Sequence, residues 1–287
     1  MSAISKLSHR IWRSVKYRSA MVFWLATYQQ RMKPSFLIIG GQKCGTTSLG
    51  EALWQHPQIA PERYKEIRYF SERFYKGHAW YMTHFPLQSQ AERAGQTLTL
   101  DNTPYYLFHP LAPERVAQFN PDMKLIALLR DPVERTISHY FHNQRRDPER
   151  EPLSLMEAIQ QEPQRLAGEE ARIRSIPDYP ALNHRRYSYV GRSLYVEQIK
   201  RWRQYFPAEQ LLILRSEDLF SHFEQTYTKI LDFLELPRVL LSQFIAANRG
   251  TNRTQVDPAI RQYLNELFRP HNEALYEYLG RDFAWEE

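Results

Sequence analysis

Residues 35–48 of the chain read SFLIIGGQKCGTTS, which joins a short apolar run to a loop rich in glycine, lysine and hydroxyl side chains. The apolar run at 35–40 does not alternate with polar residues, and this is typical of a strand buried on both faces. The residues from Thr46 to Gln55 are compatible with a helix. The stretch therefore predicts a strand, a loop and a helix, with the loop at the helix N-terminus.

Such a loop presents backbone N–H groups and the positive end of a helix dipole, so it is suited to a phosphate-like anion. Lys43 adds a charge, and three hydroxyl side chains follow at 46–48. A nucleotide triphosphatase loop has lysine directly after its second glycine. Here Thr46 follows Gly45, and this displacement argues against ATP with magnesium. A purely structural strand–turn–helix junction is the alternative.

The single cysteine of the chain, Cys44, lies inside this loop. A helix N-terminus can lower the pKa of a thiol and make it a nucleophile. We expect Cys44 to be a small loop residue instead. Having one cysteine also excludes an internal disulfide and any multi-cysteine metal site.

Further apolar runs alternate with helix-like segments along the rest of the chain. The sequence predicts strands at 97–100, 124–129 and 210–215, and helices at 133–143 and 193–205. Non-alternating strands separated by helices indicate a parallel sheet that is covered on both faces. The predicted fold class is therefore α/β: a P-loop-like three-layer sandwich with a central parallel sheet flanked by helices.

A second candidate anion site follows the predicted strand at 124–129. Arg130 leaves the carboxyl end of that strand, where parallel sheets bind their ligands, and Ser138 lies one to two turns along the next helix. A guanidinium forks onto phosphate oxygens, and a hydroxyl completes the contact. The alternative is that the sequence Arg-Asp-Pro only starts a helix, with Asp131 near its cap.

Residues 144–190 interrupt the alternation of strands and helices. Proline, arginine and glutamate are frequent there, and no strand is visible. We interpret the segment as a surface insertion with a helix near 153–161. Insertions of this kind often border an acceptor site.

Charge is unevenly distributed over the 287 residues. The formal net charge is +6, but residues 1–33 hold seven basic residues and no acidic one, so the remaining chain has 31 basic and 32 acidic residues. The body is nearly neutral, and a nucleic-acid partner is not indicated. An apolar content of 43% suits a packed globular body.

Residues 1–33 are predicted to form a basic amphipathic arm. Apolar residues recur there at helical spacing, at Ile4, Leu7, Ile11 and Val15. The apolar run at 20–26 is shorter than the about 20 residues that span a bilayer, and no signal-peptide cleavage pattern follows it. The arm either attaches peripherally to an anionic membrane or a partner, or packs on its own domain or extends from it. We expect a cytoplasmic protein that is neither secreted nor membrane-spanning.

Several blocks of the sequence, in order, resemble the superfamily of sulfotransferases that use 3′-phosphoadenosine 5′-phosphosulfate (PAPS). The resemblance is closest to the branch of heparan sulfate N- and 3-O-sulfotransferase domains and their bacterial relatives. The blocks are GQKCGTTS at 41–48, KEIRYFSE at 65–72, KGHAWYMTHFP at 76–86, LRDPVERTISHYF at 129–141 and FRPHNEALYEYLGRDFAW at 268–285. The resemblance implies a sulfotransferase domain at 34–287, PAPS as co-substrate, no metal, and a glycan or another hydroxyl-bearing acceptor.

The resemblance also implies roles for individual residues. The 5′-phosphosulfate group would be held by the loop residues Lys43, Cys44, Gly45, Thr46, Thr47 and Ser48. The 3′-phosphate would be held by Arg130 and Ser138. Relatives close a Lys-Gly-Arg turn over the cofactor where this chain has Arg249-Gly250-Thr251, so Arg249 keeps the first charge and Thr251 lacks the third.

Sulfuryl transfer needs a base for the acceptor proton and positive charge for the leaving group. In this branch the base is a glutamate that corresponds to Glu66, and Lys43 would stabilise the bridging oxygen. The residues alone leave another reading open, in which Glu66 is a surface carboxylate paired with Lys65 or Arg68. Relatives often have histidine at the Arg68 position and a basic residue at the Asn102 position, so both residues are expected to border the acceptor.

Two other functions stay open at this level. One is a P-loop kinase-like phosphotransferase, with Asp131 as a magnesium ligand. The other is a non-enzymatic protein that binds membranes or polyanions through its arm. His139 and His142 have helical spacing but no third ligand nearby in sequence, so we expect packing or surface residues.

Overall fold

The computed structural model describes residues 21–239, 241, 244 and 256–285 of the chain. Its centre is a five-stranded sheet in the order β2-β3-β1-β4-β5, in which every neighbouring pair is parallel. The strands are β1 (Phe36–Gly40), β2 (Ile59–Ala60), β3 (Leu98–Asn102), β4 (Lys124–Leu129) and β5 (Leu211–Arg215). The predicted α/β class with a central parallel sheet is confirmed.

Helices connect the strands and cover the sheet. They are α1 (Thr46–Leu53), α2 (Gly77–Met82), α3 (Gln88–Arg93), α4 (Ala112–Phe119), α5 (Pro132–Arg146), α6 (Leu155–Leu166), α7 (Glu169–Ser175), α8 (Leu182–Tyr187), α9 (Tyr195–Arg203), α10 (Ser216–Ser221), α11 (Phe223–Phe233) and α12 (Pro258–Leu279). Short 3-10 helices lie at Tyr28–Gln30, Phe74–Lys76, Gly191–Ser193 and Ala208–Gln210.

The sheet is the middle of three layers because successive side chains of a strand point to opposite faces. In β1, Leu37 and Ile39 join one buried cluster, whereas Phe36 and Ile38 join another on the opposite face. The first cluster includes Trp202 of α9, and the second includes side chains of α1 and α11. Burying each such apolar side chain contributes about 1.5–3 kcal/mol, which explains the unbroken apolar run in the sequence.

The sequence located the four longer strands to within two residues and missed the shortest one. Strand β4 has the predicted bounds, and helix α5 extends the predicted 133–143 by one residue at its start and three at its end. The two-residue strand β2 was not predicted, since two residues carry no periodic signal. None of residues 144–190, all of them described, is in a strand, and the helix predicted near 153–161 is α6.

The described part of the arm, residues 21–33, packs on the body. Arg31 donates a 2.7 Å hydrogen bond to a main-chain oxygen after α2, and the ring of Trp24 lies 3.6 Å from the guanidinium of Arg63. These two contacts hold residues 21–33 against the body, and membrane contact of the arm stays a prediction. The amphipathic pattern at 1–20 lies outside the described residues. Among the helices that are described, none is long and apolar enough to cross a membrane.

Candidate active site

The order of the strands brings three polar segments together at the carboxyl ends of neighbouring strands. Strand β1 lies between β3 and β4, so the carboxyl ends of these parallel strands are adjacent. The loop at 41–45 follows β1, the sequence from Thr103 follows β3, and Arg130 follows β4. Open α/β sheets bind their ligands at the carboxyl ends of their strands.

The loop after β1 ends at the N-terminus of α1, as the sequence predicts. Gly45 is the N-cap residue and has a φ of 91°, in the left-handed region that favours glycine. Glycine has no side chain that could accept the N–H groups of the first helical turn, so these groups remain suited to a bound anion. The Ser216 hydroxyl donates to the Cys44 oxygen at 2.8 Å and holds the loop from the β5 side.

Replacing Gly45 with alanine is expected to destabilise the protein by about 2–4 kcal/mol. A Cβ at Gly45 would sit 2.9 Å from the Phe220 ring, in addition to the cost of a positive φ. Gly95→Ala is the matched control, because Gly95 also has a positive φ but no atom within 4 Å of the added Cβ. Urea unfolding of both variants measures the difference, and equal losses would contradict the crowding at Phe220.

Cys44 is fully buried, and burial raises the pKa of its thiol to about 11. Its sulfur lies 4.0 Å from the Tyr195 hydroxyl. A thiol with so high a pKa is not a nucleophile at neutral pH. These observations agree with the prediction of a small loop residue.

Arg130 joins the two predicted anion segments directly. Its side chain is nearly buried, and Nη1 donates to the main-chain oxygen of Lys43 at 3.2 Å while Nη2 pairs with Glu134 at 3.2 Å. Ser138 is half-buried about two turns into α5. Asp131 caps α5 by accepting the Glu134 N–H at 3.0 Å, so the helix-start reading of this segment also holds. A capping carboxylate is already engaged, which weakens the case for Asp131 as a metal ligand.

The segment that carries Glu66 is tied to the end of β3. The N–H of Glu66 donates to the Asn102 oxygen at 3.2 Å, and the N–H of Arg68 donates to the Thr103 hydroxyl at 3.2 Å. Glu66 and Arg68 both have a positive φ, of 53° and 59°. Non-glycine residues in this region cost about 1–3 kcal/mol each and cluster at functional sites.

The carboxylate of Glu66 pairs with the guanidinium of Arg68 at 2.6 Å and is 46% exposed. Arg68 also contacts Glu72 at 3.4 Å. The residues alone had left two partners of Glu66 open, and the structure shows the pairing with Arg68, while Lys65 pairs with Glu51. The assignment of Glu66 as the base stays a prediction.

Asn102 does not face an open surface in this structure. Its side chain is buried, and Nδ2 donates to the Thr46 oxygen at 2.7 Å, at the start of α1. Its Oδ1 is buried without a hydrogen-bond partner among residues 21–239 and 256–285. The structure therefore places Asn102 beside the loop after β1. The turn Arg249-Gly250-Thr251 lies outside the described residues.

Two buried arginines beside the loop were missed from the sequence. Arg135 and Arg192 are 0% and 4% exposed, and within the described ranges neither forms a salt bridge with a carboxylate. In the part of the chain that the structure describes, Arg135 Nη1 and Arg192 Nε have no hydrogen-bond partner. Burial lowers the pKa of Arg192 to about 10. Unpaired buried cations are costly, and a bound anion would offset that cost, so the site fits a ligand with several negative charges. No sequence signal connects Arg192 to a loop 150 residues earlier.

His142 lies on α5, and burial together with the charges of both predicted catalytic residues, Lys43 and Glu66, shifts the pKa of its imidazole. Burial lowers the pKa of its imidazole, the charges of Lys43, Arg146 and Arg145 lower it further, and Glu66 opposes them. His139 is fully buried and packs edge-on against Tyr189, in agreement with a packing residue. Among the described residues, no group of three or more His, Cys, Asp or Glu side chains is arranged to hold a metal ion.

Acidification is expected to destabilise helix α8 through His184. Burial, followed by the charges of Arg192 and Arg201, lowers the pKa of this imidazole to about 3. Because the unfolded chain takes up this proton near pH 6.5 and the folded one only near pH 3, stability is lost as the pH falls between these values. Between pH 7 and pH 5, the free energy of unfolding of wild type is expected to fall by about 2 kcal/mol more than that of His184→Gln.

The measurement is denaturant unfolding of wild type and variant at both pH values. His222→Gln is the control, since His222 is exposed. Identical pH dependence in wild type and His184→Gln would contradict the assignment.

Comparison with known proteins gives one family. The model of the sulfotransferase domain matches residues 33–262. The membrane-associated sulfotransferase kil1 of Dictyostelium discoideum is 29% identical over 88% of this chain and 66% of its own length. The mouse heparan sulfate glucosamine 3-O-sulfotransferase 3A1 is 27% identical over 88% of this chain and 64% of its own length. The chain thus spans less than two thirds of these curated relatives.

Solved structures agree with the match. A sulfotransferase from Alicyclobacillus acidocaldarius has a TM-score of 0.63 and 28% identity over 89% of this chain and 100% of its own. Mouse sulfotransferase SULT7A1 complexed with PAP has a TM-score of 0.52 over 90% of this chain and 93% of its own, and at 13% identity it supports the fold alone. The family model covers most of the chain, including the loop after β1 and Arg130. The chain belongs to the sulfotransferase domain family.

Proposed function

We propose that this chain transfers a sulfuryl group from PAPS to an acceptor hydroxyl or, less favoured, an amine. The observation that carries the proposal is the contact of Arg130 with the Lys43 oxygen, which joins one anion-binding segment to the other. PAPS has anionic groups at both ends of its adenosine, and two adjoining sites fit that pattern. The buried charges of Arg135 and Arg192 add to the positive field.

We assign the residues of this chain to donor binding and to catalysis. The loop residues Lys43, Cys44, Gly45, Thr46, Thr47 and Ser48 would hold the 5′-phosphosulfate group, and Arg130 with Ser138 would hold the 3′-phosphate. PAPS, when bound, supplies the sulfuryl group. Glu66 would take the proton of the acceptor hydroxyl, and Lys43 would stabilise negative charge at the bridging oxygen. The chemistry is positioning and charge stabilisation, as in phosphoryl transfer.

A glycan is the acceptor that we propose. The mouse relative described above is named for 3-O-sulfation of glucosamine in heparan sulfate. A cavity of about 210 Å³ lies beside residues 63–64, with Tyr64 and Trp80 in its walls together with Arg63 and Arg73. Flat aromatic faces pack against the apolar faces of sugar rings, and guanidinium groups pair with acidic substituents.

The test is calorimetric titration with 3′-phosphoadenosine 5′-phosphate (PAP), followed by labelled-sulfate transfer to a panel of polysaccharides, phenols and lipids. We expect PAP to bind and ATP with magnesium not to bind, and we expect transfer to a polysaccharide. Failure to bind PAP would overturn the proposal. Binding of ATP only with magnesium would favour the kinase-like alternative. Transfer to phenols or lipids alone would overturn the glycan acceptor and leave the sulfotransferase.

We also propose that residues 34–287 form the catalytic domain of a cytoplasmic protein and that the arm at 1–33 makes peripheral contact with anionic membranes. Val22, Phe23 and Leu25 are 69%, 52% and 40% exposed in the part of the arm that is described. Apolar side chains among basic residues suit the interface of an anionic bilayer. The measurement is flotation of the full chain with vesicles of phosphatidylserine and phosphatidylcholine, or of phosphatidylcholine alone.

Binding to the anionic vesicles is expected to fall at least about fivefold in the triple variant Val22→Ser, Phe23→Ser, Leu25→Ser, because three apolar side chains leave the interface. Ile176→Ser with Leu182→Ser is the control, since these exposed apolar residues lie in the insertion. Equal binding of both variants would overturn the membrane contact. Loss of vesicle binding on deletion of residues 1–33, in a protein that transfers no sulfate and in which Glu66→Gln changes nothing, would instead favour the non-enzymatic alternative.

A further inference from the structure

Arg185, a residue of helix α8 in the insertion, contacts both halves of the candidate active site. The guanidinium of Arg185 pairs with Glu72 at 3.0 Å. Its main-chain oxygen accepts a 2.6 Å hydrogen bond from Nη2 of Arg192. The side chain of Arg185 thus contacts the segment of the predicted base, and its main-chain oxygen contacts the arginine that binds the loop after β1.

The side-chain contact begins a chain of ion pairs that ends at the predicted base. Glu72 accepts from Arg68 as well as from Arg185, and Arg68 in turn holds the carboxylate of Glu66 at 2.6 Å. The side chain of Glu72 is only 13% exposed. Ion pairs that are shielded from water are screened less by salt. The pairs of Glu72 therefore hold the Arg68 guanidinium, and Arg68 can in turn orient the Glu66 carboxylate.

The main-chain contact leads to the loop. Arg192 is buried, its Nη1 donates to the side-chain oxygen of Gln42, and its guanidinium lies 4.7 Å from the centre of the Tyr105 ring. Gln42 directly precedes Lys43. A glutamate of α6, Glu162, binds the N–H of Gly191 at 2.7 Å and anchors the turn that carries Arg192.

We propose that Arg192 and Arg185 are positioning residues, and that helix α8 sets the placement of the loop after β1 relative to Glu66. This proposal rests on the proposed function. Arg192 holds the loop through Gln42, and Arg185 holds Glu66 through Glu72 and Arg68. The reason that such a link matters is geometric, since a misplacement of about 1 Å can cost about a hundredfold in rate.

The two residues are separable by experiment because they reach different halves of the site. Arg192→Gln removes the contact to Gln42, so the dissociation constant for PAP and the KM for PAPS are expected to rise at least about tenfold. Arg192→Lys keeps the charge and one contact, and is expected to recover part of that affinity. Arg185→Gln keeps its main-chain oxygen, so PAP affinity stays within about twofold of wild type while kcat falls about tenfold.

The measurements are PAP titration, KM for PAPS and for the acceptor, kcat, and thermal unfolding to establish that each variant is folded. Arg238→Gln is the control, because Arg238 is exposed and pairs only with Asp232 among the described residues. Should Arg192→Gln not fold, Arg192→Lys takes its place, with a smaller loss of PAP affinity expected. A folded Arg192 variant with wild-type affinity for PAP would overturn the role of Arg192. An Arg185→Gln variant with wild-type kcat would overturn the role of Arg185.

Failure of the wild-type protein to bind PAP would contradict the proposed function itself. If wild type binds PAP and the variants lose affinity and kcat together in the same proportion, the residues are merely structural. The expected split, with donor affinity lost in Arg192→Gln and kcat lost in Arg185→Gln, is not produced by a general loss of stability.

Discussion

Lys43→Met is expected to lower kcat/KM for sulfuryl transfer by about a thousandfold. Methionine has a similar length and no charge, so the variant removes the cation that we assign to the bridging oxygen while filling the same space. Removal of a single stabilising donor costs about 10²–10³ in rate, and loss of a full positive charge in phosphoryl transfer costs about 10³–10⁵. Lys43 already has a φ of 71°, so both side chains meet the same backbone strain.

The measurement is labelled-sulfate transfer with PAPS at saturating acceptor. Lys200→Met is the matched control, because Lys200 lies on α9 with its side chain half exposed and paired with Glu197. Lys43→Arg is expected to keep part of the activity, since it keeps the charge. Wild-type activity in Lys43→Met would remove Lys43 from the mechanism and leave the fold and family unaffected.

Glu66→Gln is the second large effect, with an expected loss of about 10²–10⁴ in kcat. Glutamine preserves the size and the hydrogen-bonding oxygen of glutamate but cannot take up a proton at neutral pH, and general bases contribute about this factor. PAP affinity is expected to stay within about twofold of wild type, because Glu66 lies on the β3 side and the donor is assigned to the loop after β1.

Glu114→Gln is the control for this substitution, since Glu114 is an exposed residue of α4. Single-turnover transfer separates the chemical step from product release. A variant that binds PAP and keeps full activity would contradict the assignment of the base alone. In that case His142, which lies in the field of both Lys43 and Glu66, is the next residue to replace.

The pairing of Glu66 with Arg68 has a consequence for both experiments. A base needs a lone pair facing the acceptor hydroxyl, and the pairing at 2.6 Å engages one carboxylate oxygen, Oε2. The contacts with Arg68 do not involve the other carboxylate oxygen, which would remain for the acceptor. Arg68 thus orients the carboxylate that the acceptor would meet.

Local signals in the sequence were sufficient for the elements that are buried on both faces. The run at 36–40 and the run at 124–129 are apolar without alternation, and they are β1 and β4 at the centre of the sheet. The loop at 41–45 and the cap of α5 also follow from neighbouring residues, because glycine at a positive φ and aspartate before proline are local preferences. Strand β2 lacks any such signal and was found only in the sheet.

The candidate site was predicted only in the parts that lie within a few residues of a strand end. Lys43 and Arg130 were assigned from the sequence to two anion sites of one cofactor, and the structure brings the Arg130 guanidinium to the main-chain oxygen of Lys43. Asn102 was expected at the acceptor, but its amide is buried against α1, because the end of β3 lies directly beside β1. Arg192 and Arg185 gave no signal, since Gln42 and Glu72, with which their side chains pair, are more than 100 residues away.

By itself the sequence determined the class of the fold, the loop that is suited to a phosphate-like anion, and the family that carries both. These depend on hydrophobic pattern and turn chemistry, which act between near neighbours in the chain. The tertiary structure decided which charges meet: Arg130 with the loop, Arg68 with Glu66, and Arg192 with Gln42. The reason is physical, because side-chain pairing across the fold depends on the order of strands and the packing of helices, and no short stretch of sequence encodes either.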